Sequence, residues 1–100
     1  MLTIQQIKDT VAGYFIDKPV KRVFLFGSYA RGEAIEGSDI DLLIEYDESK
    51  ARLSLYDVLR FKIGLEERLQ TAVELVEEPY LYEGFRKSVN RDKCQIYPVW

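Results

Sequence analysis

Apolar residues near the start of the chain recur at the spacing of one helix face. They are Ile4, Ile7, Val11 and Phe15. Residues three or four apart lie above one another on a helix, so this pattern predicts a helix with one buried side. Thr3 and Gln6 match a capping box at its start, and Pro19 is expected to follow its end. We therefore expect a first helix over residues 3–15.

Two apolar runs then predict two strands joined by a short polar segment. The first run covers residues 20–26 and has no clear alternation, which indicates a strand covered on both faces. The second covers residues 39–46 and has two acidic residues near its start. Between the runs, the sequence predicts a short helix over residues 28–33 and a turn at residues 37–38. The second strand is thus expected to start directly from a turn.

The next part of the chain repeats the order of helix and strand. Ser54 and Asp57 match another N-terminal cap and predict a helix from there to about residue 70. The residues expected on its buried face are Leu55, Val58, Leu59, Leu65 and Leu69. A short third strand is expected over residues 72–76.

The end of the chain predicts one more helix and an edge strand. The helix is expected to begin near Pro79, which suits a first turn, and to run to about Asn90. Its apolar positions are Leu81, Phe85 and Val89. The tail, residues 94–100, is expected to be an edge strand, because Pro98 is tolerated only at a sheet edge. This order of elements indicates one α/β domain over residues 1–100.

Composition narrows the class of protein. With 47% hydrophobic and 31% charged residues, the chain has the composition of an ordinary soluble domain. The formal net charge of −3 and the lack of a long basic run argue against nucleic acid as the main partner. The single cysteine, Cys94, cannot form an internal disulfide, which favours a reducing compartment. No apolar run approaches the roughly 18 residues of a membrane helix, and no signal-peptide pattern is seen, so we expect a cytoplasmic protein without a membrane partner.

Asp39 and Asp41 give the first indication of chemistry. Side chains two positions apart in a strand share a face and lie about 7 Å apart along it. Two carboxylates at this spacing repel each other, and their strand is otherwise apolar. A cation would relieve the repulsion, and oxygen ligands suit Mg²⁺ or Mn²⁺. We therefore expect a divalent metal site at this position.

The turn after the first strand is expected to supply a phosphate site. Gly27 has no Cβ, so a ligand can approach the backbone, and Ser28 adds a hydroxyl group. The amides that open residues 29–32 are expected to point at a phosphate. An alternative interpretation is a plain turn with Ser28 as a helix N-cap, and the two interpretations are compatible. A phosphate site beside two metal-binding carboxylates is typical of enzymes that transfer a phosphate-containing group from a nucleoside triphosphate.

The segment GSYARGEAIEGSDIDLLIE, residues 27–45, resembles a known family. Gly27-Ser28, ten further residues and then Asp39-Ile40-Asp41 are similar to the signature of the polymerase-β-like nucleotidyltransferases. The segment resembles their smallest branch, the minimal nucleotidyltransferases (MNT proteins), which are commonly antitoxins paired with HEPN-domain toxins. The resemblance implies an α/β (α+β) fold, with a small mixed β-sheet and helices packed mainly on one face.

The resemblance also implies roles for three further residues. The family has a third metal-linked acid, usually aspartate, on the strand where this chain has Glu74, whose alternative is an exposed strand glutamate. Arg31, in the ARG of the motif, is expected either to bind the triphosphate or to pair at the surface with Glu33 or Glu36. Ser38 could bind a phosphate, but a capping role in its turn is the preferred interpretation.

The motif and the resemblance together predict a nucleotidyltransferase that uses ATP and two Mg²⁺ ions. The expected metal-binding and catalytic residues are Asp39, Asp41 and Glu74. The expected nucleotide-binding residues are Gly27, Ser28, Arg31 and Ser38. The resemblance implies that the chain is an antitoxin that transfers AMP to a hydroxyl group, a tyrosine, of a HEPN toxin.

Two alternative functions and the state of assembly are left open at this point. The chain could instead be an antitoxin that neutralises its toxin by contact alone, without catalysis. It could also transfer a nucleotide to a small molecule, although a dimer would then be needed to build the acceptor pocket. A homo-oligomer and a hetero-oligomer are both compatible with the sequence.

Overall fold

The computed structural model describes residues 1–47, 49, 54–77 and 83–98. The described residues form four helices and four strands. In chain order these are α1 (Ile4–Phe15), β1 (Val20–Phe26), α2 (Gly27–Arg31), β2 (Ile40–Tyr46), α3 (Leu55–Leu69), β3 (Val73–Glu77), α4 (Glu83–Asp92) and β4 (Cys94–Tyr97). Pro79 and Leu81, the expected start of the last helix, lie outside the described residues. Among the described residues, no helix has the length and apolar character needed to cross a membrane.

The strands form one mixed sheet in the order β3-β2-β1-β4. Strand β1 is antiparallel to both β2 and β4, whereas β2 and β3 run parallel. Strand β4 lies at one edge, as the position of Pro98 predicted. The predicted fold class, a small mixed sheet with helices, is therefore confirmed.

The two faces of the sheet are covered by different helices. On one face, α1 and α3 pack on a large apolar core that includes Leu42 and Ile44 of β2. On the other face, a small cluster joins Phe26 and Leu43 to Val89 of α4. Leu42 and Leu43 thus belong to opposite cores. Leu25 and Phe26 of β1 do so as well, which confirms the prediction that the first strand is covered on both faces. The α4 face carries less apolar packing and leaves room for polar groups.

Both predicted helix caps are present. The Thr3 hydroxyl accepts a hydrogen bond from the Gln6 amide, and the Gln6 side chain accepts one from the Thr3 amide at 2.8 Å. Ser54 and Asp57 form the same reciprocal pair at the start of α3. Each pair satisfies amides that have no partner within the helix, so these local signals fix both starts.

The predicted buried face of α3 is partly wrong. Leu55 is 82% exposed and Leu59 is 51% exposed, whereas Phe61 is buried together with the correctly predicted Leu65 and Leu69. Phe61 packs edge-on against Phe15 of α1, with ring centroids 5.5 Å apart. A large aromatic side chain buries more apolar area than a leucine, so its contacts set the rotation of the helix.

Two charged side chains of α3 reach the outer edge of β3. Lys62 Nζ donates a hydrogen bond to the Val73 carbonyl at 3.0 Å, and Glu66 accepts one from the Val73 amide at 2.9 Å. Lys62 and Glu66 also pair with each other at 3.6 Å. The backbone donor and acceptor of Val73 are therefore both occupied by side chains of the neighbouring helix.

Candidate active site

The end of β1 brings a glycine against an acidic side chain of β2. Phe26, the last residue of β1, lies opposite Asp41 in the antiparallel ladder, and Gly27 follows with φ of +75°. A Cβ on Gly27 would overlap the Asp41 carboxylate. Glycine is thus required here both by the left-handed backbone and by the close approach of Asp41.

Asp41 and Glu74 lie side by side on neighbouring strands. They are paired in the parallel register of β2 and β3, so both side chains project from the same face of the sheet. This is the face of Leu43, on which α4 packs. Both acids line a cavity of about 320 Å³, together with Phe26, Gly27, Ser28, Arg31, Val89 and Asp92. The structure therefore brings the predicted third acid next to the predicted turn.

Asp39 stands at the margin of this group. It is exposed and directly precedes β2, which begins at Ile40 rather than at the predicted position 39. It does not line the cavity, but its charge acts on Asp41. The predicted acidic pair is thus close enough to interact, with Asp41 inside the cavity and Asp39 outside it.

The environment of Asp41 disfavours its charge. Burial raises the pKa of Asp41 from its ordinary value of 3.8 to about 6, and the carboxylates of Glu74 and Asp39 add to this effect. The Arg31 guanidinium acts in the opposite direction. A half-buried carboxyl group with two like charges nearby is a place where a cation would be stabilised.

The chemistry of these acids fits a divalent cation such as Mg²⁺, which prefers carboxylate oxygen. Within the described ranges, however, no three acidic, histidine or cysteine side chains converge as ligands of a single ion. The fit therefore rests on the clustering of negative charge around Asp41. The two-ion site stays a prediction.

We predict that Asp41→Asn stabilises the metal-free protein near neutral pH by about 1 kcal/mol, after allowing for solvent screening of a half-buried group. The folded protein holds the Asp41 proton to higher pH than the unfolded chain, so this carboxyl group lowers the free energy of unfolding as pH rises from 3.8 through about 6. Urea unfolding in the presence of a chelator should show the gain near neutral pH. The gain should vanish at about pH 4 or below, where Asp41 is protonated in both states.

Asp9→Asn is the matched control, because Asp9 is exposed on α1. It should change the free energy of unfolding by less than about 0.5 kcal/mol at any pH. An Asp41→Asn variant as stable as the wild type at neutral pH, or equally stabilised at acid pH, would contradict the assigned environment of Asp41.

Ser28 lies inside α2 and lines the cavity. The alternative interpretation of Ser28 as the N-cap is wrong, since the capping position is Phe26, whose side chain makes no cap. The helix begins one residue earlier than predicted, at Gly27, whose φ is +75°. The Ser28 hydroxyl is thus placed at the cavity rather than at the entrance of the helix.

Arg31 lines the same cavity and makes two ion pairs. Its Nε donates to Glu33 at 3.0 Å, which confirms one of the surface pairings predicted as an alternative. Its Nη1 donates to Asp92 at 2.8 Å. Asp92 was not among the predicted site residues, because it is 61 positions from Arg31 and no local pattern links the two.

Ser38 is not brought to the cavity. Its hydroxyl accepts a hydrogen bond from the Ile35 amide at 2.9 Å, and its own amide donates to the Ile35 carbonyl at 2.9 Å. It lines a separate depression that includes Tyr29 and Thr71. The turn role preferred for Ser38 is confirmed, and its expected contact with nucleotide gains no support from this placement.

A family match and a relative of known name both identify the chain as similar to nucleotidyltransferases. The nucleotidyltransferase domain family matches residues 4–97. Protein adenylyltransferase MntA of Thermococcus cleftensis is 32% identical over 100 residues, with 96% of this chain and 98% of that protein covered. The residues matched by the family, 4–97, include every residue assigned above to the cavity.

Solved structures share the fold. A crystal structure described as a toxin–antitoxin with AMP-PNP superposes with a TM-score of 0.77 at 20% identity, covering 92% of this chain and 73% of that chain. A structure of a tri-AMPylated Shewanella oneidensis HEPN toxin in complex with an MNT antitoxin gives a TM-score of 0.71 at 18% identity, covering 95% of this chain and 72% of that chain. At these identities the likeness concerns the fold alone.

Proposed function

Because the chain belongs to the nucleotidyltransferase domain family, we propose that it transfers AMP from ATP to a hydroxyl group of a partner protein. The acceptor is a tyrosine of a HEPN-domain toxin, and the modification neutralises that toxin. The chain therefore acts as an antitoxin with a catalytic mechanism.

The observation that carries this proposal is the cavity between α2, α4 and the strands β2 and β3. It brings Asp41 and Glu74 beside Gly27 and Ser28, so that the two acids proposed to bind the metal and the turn proposed to bind phosphate face the same space. A nucleoside triphosphate with its divalent cation needs both features at once.

The residues divide into two functional groups. Asp41 and Glu74, with Asp39 at the margin, would hold Mg²⁺, which when bound would neutralise phosphate charge and ease ionisation of the acceptor hydroxyl. The backbone at Gly27 lets a phosphate approach closely, and the Ser28 hydroxyl donates a hydrogen bond to it. Arg31 adds a guanidinium group for the triphosphate.

The transfer itself is an in-line displacement at the α-phosphorus of ATP. The acceptor oxygen forms a bond to the α-phosphorus, the bond from that phosphorus to the bridging oxygen breaks, and pyrophosphate leaves. Glu74 takes the proton of the acceptor hydroxyl. A tyrosine hydroxyl suits this role because its pKa, about 10, is well below that of serine, so less assistance is needed to ionise it.

Two lines of support favour a protein acceptor. The net charge of −3 disfavours a nucleic acid, whose phosphates would be repelled. The relative from Thermococcus cleftensis is named a protein adenylyltransferase, and a protein of the same fold is seen with an AMPylated HEPN toxin. These support a HEPN toxin as the acceptor.

The proposal is tested by weighing the partner toxin. The co-encoded toxin is incubated with ATP, magnesium and this protein, and its intact mass is measured by mass spectrometry. We expect an AMP-sized increase that is lost when tyrosine residues of the toxin are replaced by phenylalanine. An unchanged mass, combined with neutralisation of the toxin in cells by an Asp39→Ala/Asp41→Ala variant, would instead establish an antitoxin that acts by contact alone.

A further inference from the structure

The guanidinium group of Arg31 is held between two carboxylates of very different exposure. Its Nε donates to Glu33, whose side chain is 66% exposed, at 3.0 Å. Its Nη1 donates to Asp92, whose side chain is only 8% exposed, at 2.8 Å. Asp92 lines the cavity with Arg31, whereas Glu33 does not. The contact with the less exposed carboxylate, Asp92, is therefore the one that can define where the guanidinium lies relative to the cavity.

The two oxygens of Asp92 have separate partners. Oδ2 accepts the hydrogen bond from Arg31 inside the cavity wall, and Oδ1 accepts one from Arg91 Nε at 3.2 Å at the surface. The hydrogen bond from Arg31 lowers the pKa of Asp92, so the carboxyl group is ionised at neutral pH. Asp92 thus links the end of α4 to α2 through a charge-assisted hydrogen bond.

The position of Asp92 in its helix is unfavourable by itself. It is the last residue of α4, and the C-terminal end of a helix carries partial negative charge that repels a carboxylate. Neither helix capping nor the helix dipole accounts for an aspartate there. The contact with Arg31 supplies a reason for it.

We propose that Asp92 is a positioning residue that holds the Arg31 guanidinium over the cavity for the triphosphate of ATP. This inference rests on the proposed function and extends it to a residue of α4. Arginine has five N–H donors, and its two contacts to Glu33 and Asp92 use Nε and Nη1. Among the residues that the structure describes, Nη2 makes no such contact and is the group that would meet a phosphate. Fixing a long side chain before binding removes an entropy cost that nucleotide binding would otherwise carry.

The test compares ATP binding in single and double variants. In calorimetric titrations of ATP with magnesium present, Asp92→Ala should weaken binding about tenfold, as expected for loss of a charged hydrogen bond that orients a ligand contact. In the Arg31→Ala background, the same change should cause no further loss, because Asp92 acts through Arg31. In steady-state transfer assays, KM for ATP should rise while kcat changes little.

Arg91→Gln is the matched control. It removes the surface partner of Asp92 but leaves the contact with Arg31, so ATP affinity should stay at the wild-type value. Asp92→Glu, which retains the charge, should recover part of the affinity lost in Asp92→Ala. Thermal unfolding of each variant shows whether it is folded. If Asp92→Ala is not folded, Asp92→Asn takes its place in the test.

Three outcomes would overturn the inference. A folded Asp92→Ala or Asp92→Asn variant with wild-type ATP affinity would show that Arg31 does not need Asp92. An equal further loss in the Arg31→Ala background would show that Asp92 acts independently. These two results leave the proposed function standing if the wild-type protein binds ATP and the Asp41→Asn variant does not. The third outcome is that the wild-type protein does not bind ATP, which would remove both proposals.

Discussion

An Asp41→Asn variant should transfer AMP about a thousand times more slowly than the wild type. Asp41 lies inside the cavity beside Glu74. In the proposed function, its charge would help to hold the cation that offsets the charge developing in nucleotidyl transfer. Such stabilisation amounts to several kcal/mol, and about 4 kcal/mol corresponds to a factor of a thousand in rate. The measurement is the initial rate of AMP incorporation into the partner toxin at saturating ATP and magnesium.

Asp9→Asn again serves as the control, because it makes the same chemical change at an exposed position of α1. It should transfer AMP at the wild-type rate. Since Asp41→Asn is expected to stabilise the metal-free protein, a loss of transfer in this variant cannot be ascribed to unfolding. Transfer within about threefold of the wild-type rate would show that Asp41 has no part in the chemistry.

The same assay distinguishes the role of Glu74 from that of Asp41. Glu74→Ala should lower kcat more than it weakens ATP binding, since Glu74 is assigned to the acceptor proton rather than to the triphosphate. Normal turnover in this variant would show that Glu74 is an ordinary strand glutamate without a role in the transfer.

Gly27→Ala should destabilise the protein by about 2 kcal/mol or more and weaken ATP binding at least about tenfold. The new methyl group would overlap the Asp41 carboxylate, and the residue would have to keep φ at +75°. Either the backbone shifts or Asp41 turns away, and both changes disturb the cavity. Urea unfolding and calorimetric titration with ATP measure the two effects.

Gly13→Ala is the matched control for the same substitution. Gly13 lies within α1, and a Cβ there meets no atom within 4 Å. Alanine is favoured over glycine in a helix, so this variant should be more stable than the wild type by about 1 kcal/mol and should bind ATP normally. If Gly27→Ala matched the wild type in both stability and ATP affinity, the close packing of Gly27 on Asp41 would be wrong.

Much of the fold was predictable because its signals are local. Reciprocal hydrogen bonds over three residues set both helix starts at Thr3 and Ser54, and the apolar runs set β1 and β2. The turn at Gly27 and the acid Asp41 were found for the same reason, since each belongs to a short motif around a strand end. Glu74 was assigned through the resemblance, and the parallel register of β2 and β3 places it beside Asp41.

The features that the sequence did not reveal depend on contacts between distant parts of the chain. The rotation of α3 about its axis follows from the packing of Phe61 on Phe15. The helix has two adjacent apolar rows, so the sequence alone does not decide which of them is buried. The contact between Arg31 and Asp92 arises only when α4 packs against α2. The placement of Ser38 away from the cavity has a different reason. Its hydroxyl is already hydrogen-bonded within its own turn, to the Ile35 amide.

The side chains at the outer edge of β3 bear on how this protein avoids aggregation. An edge strand normally offers unpaired amides and carbonyls that can extend the sheet into a second molecule. Lys62 and Glu66 occupy the carbonyl and amide of Val73, one residue before Glu74 of the candidate site. A strand from another molecule would have to displace both side chains before pairing at Val73. These two side chains thus hinder the addition of a further strand at Val73, next to the cavity.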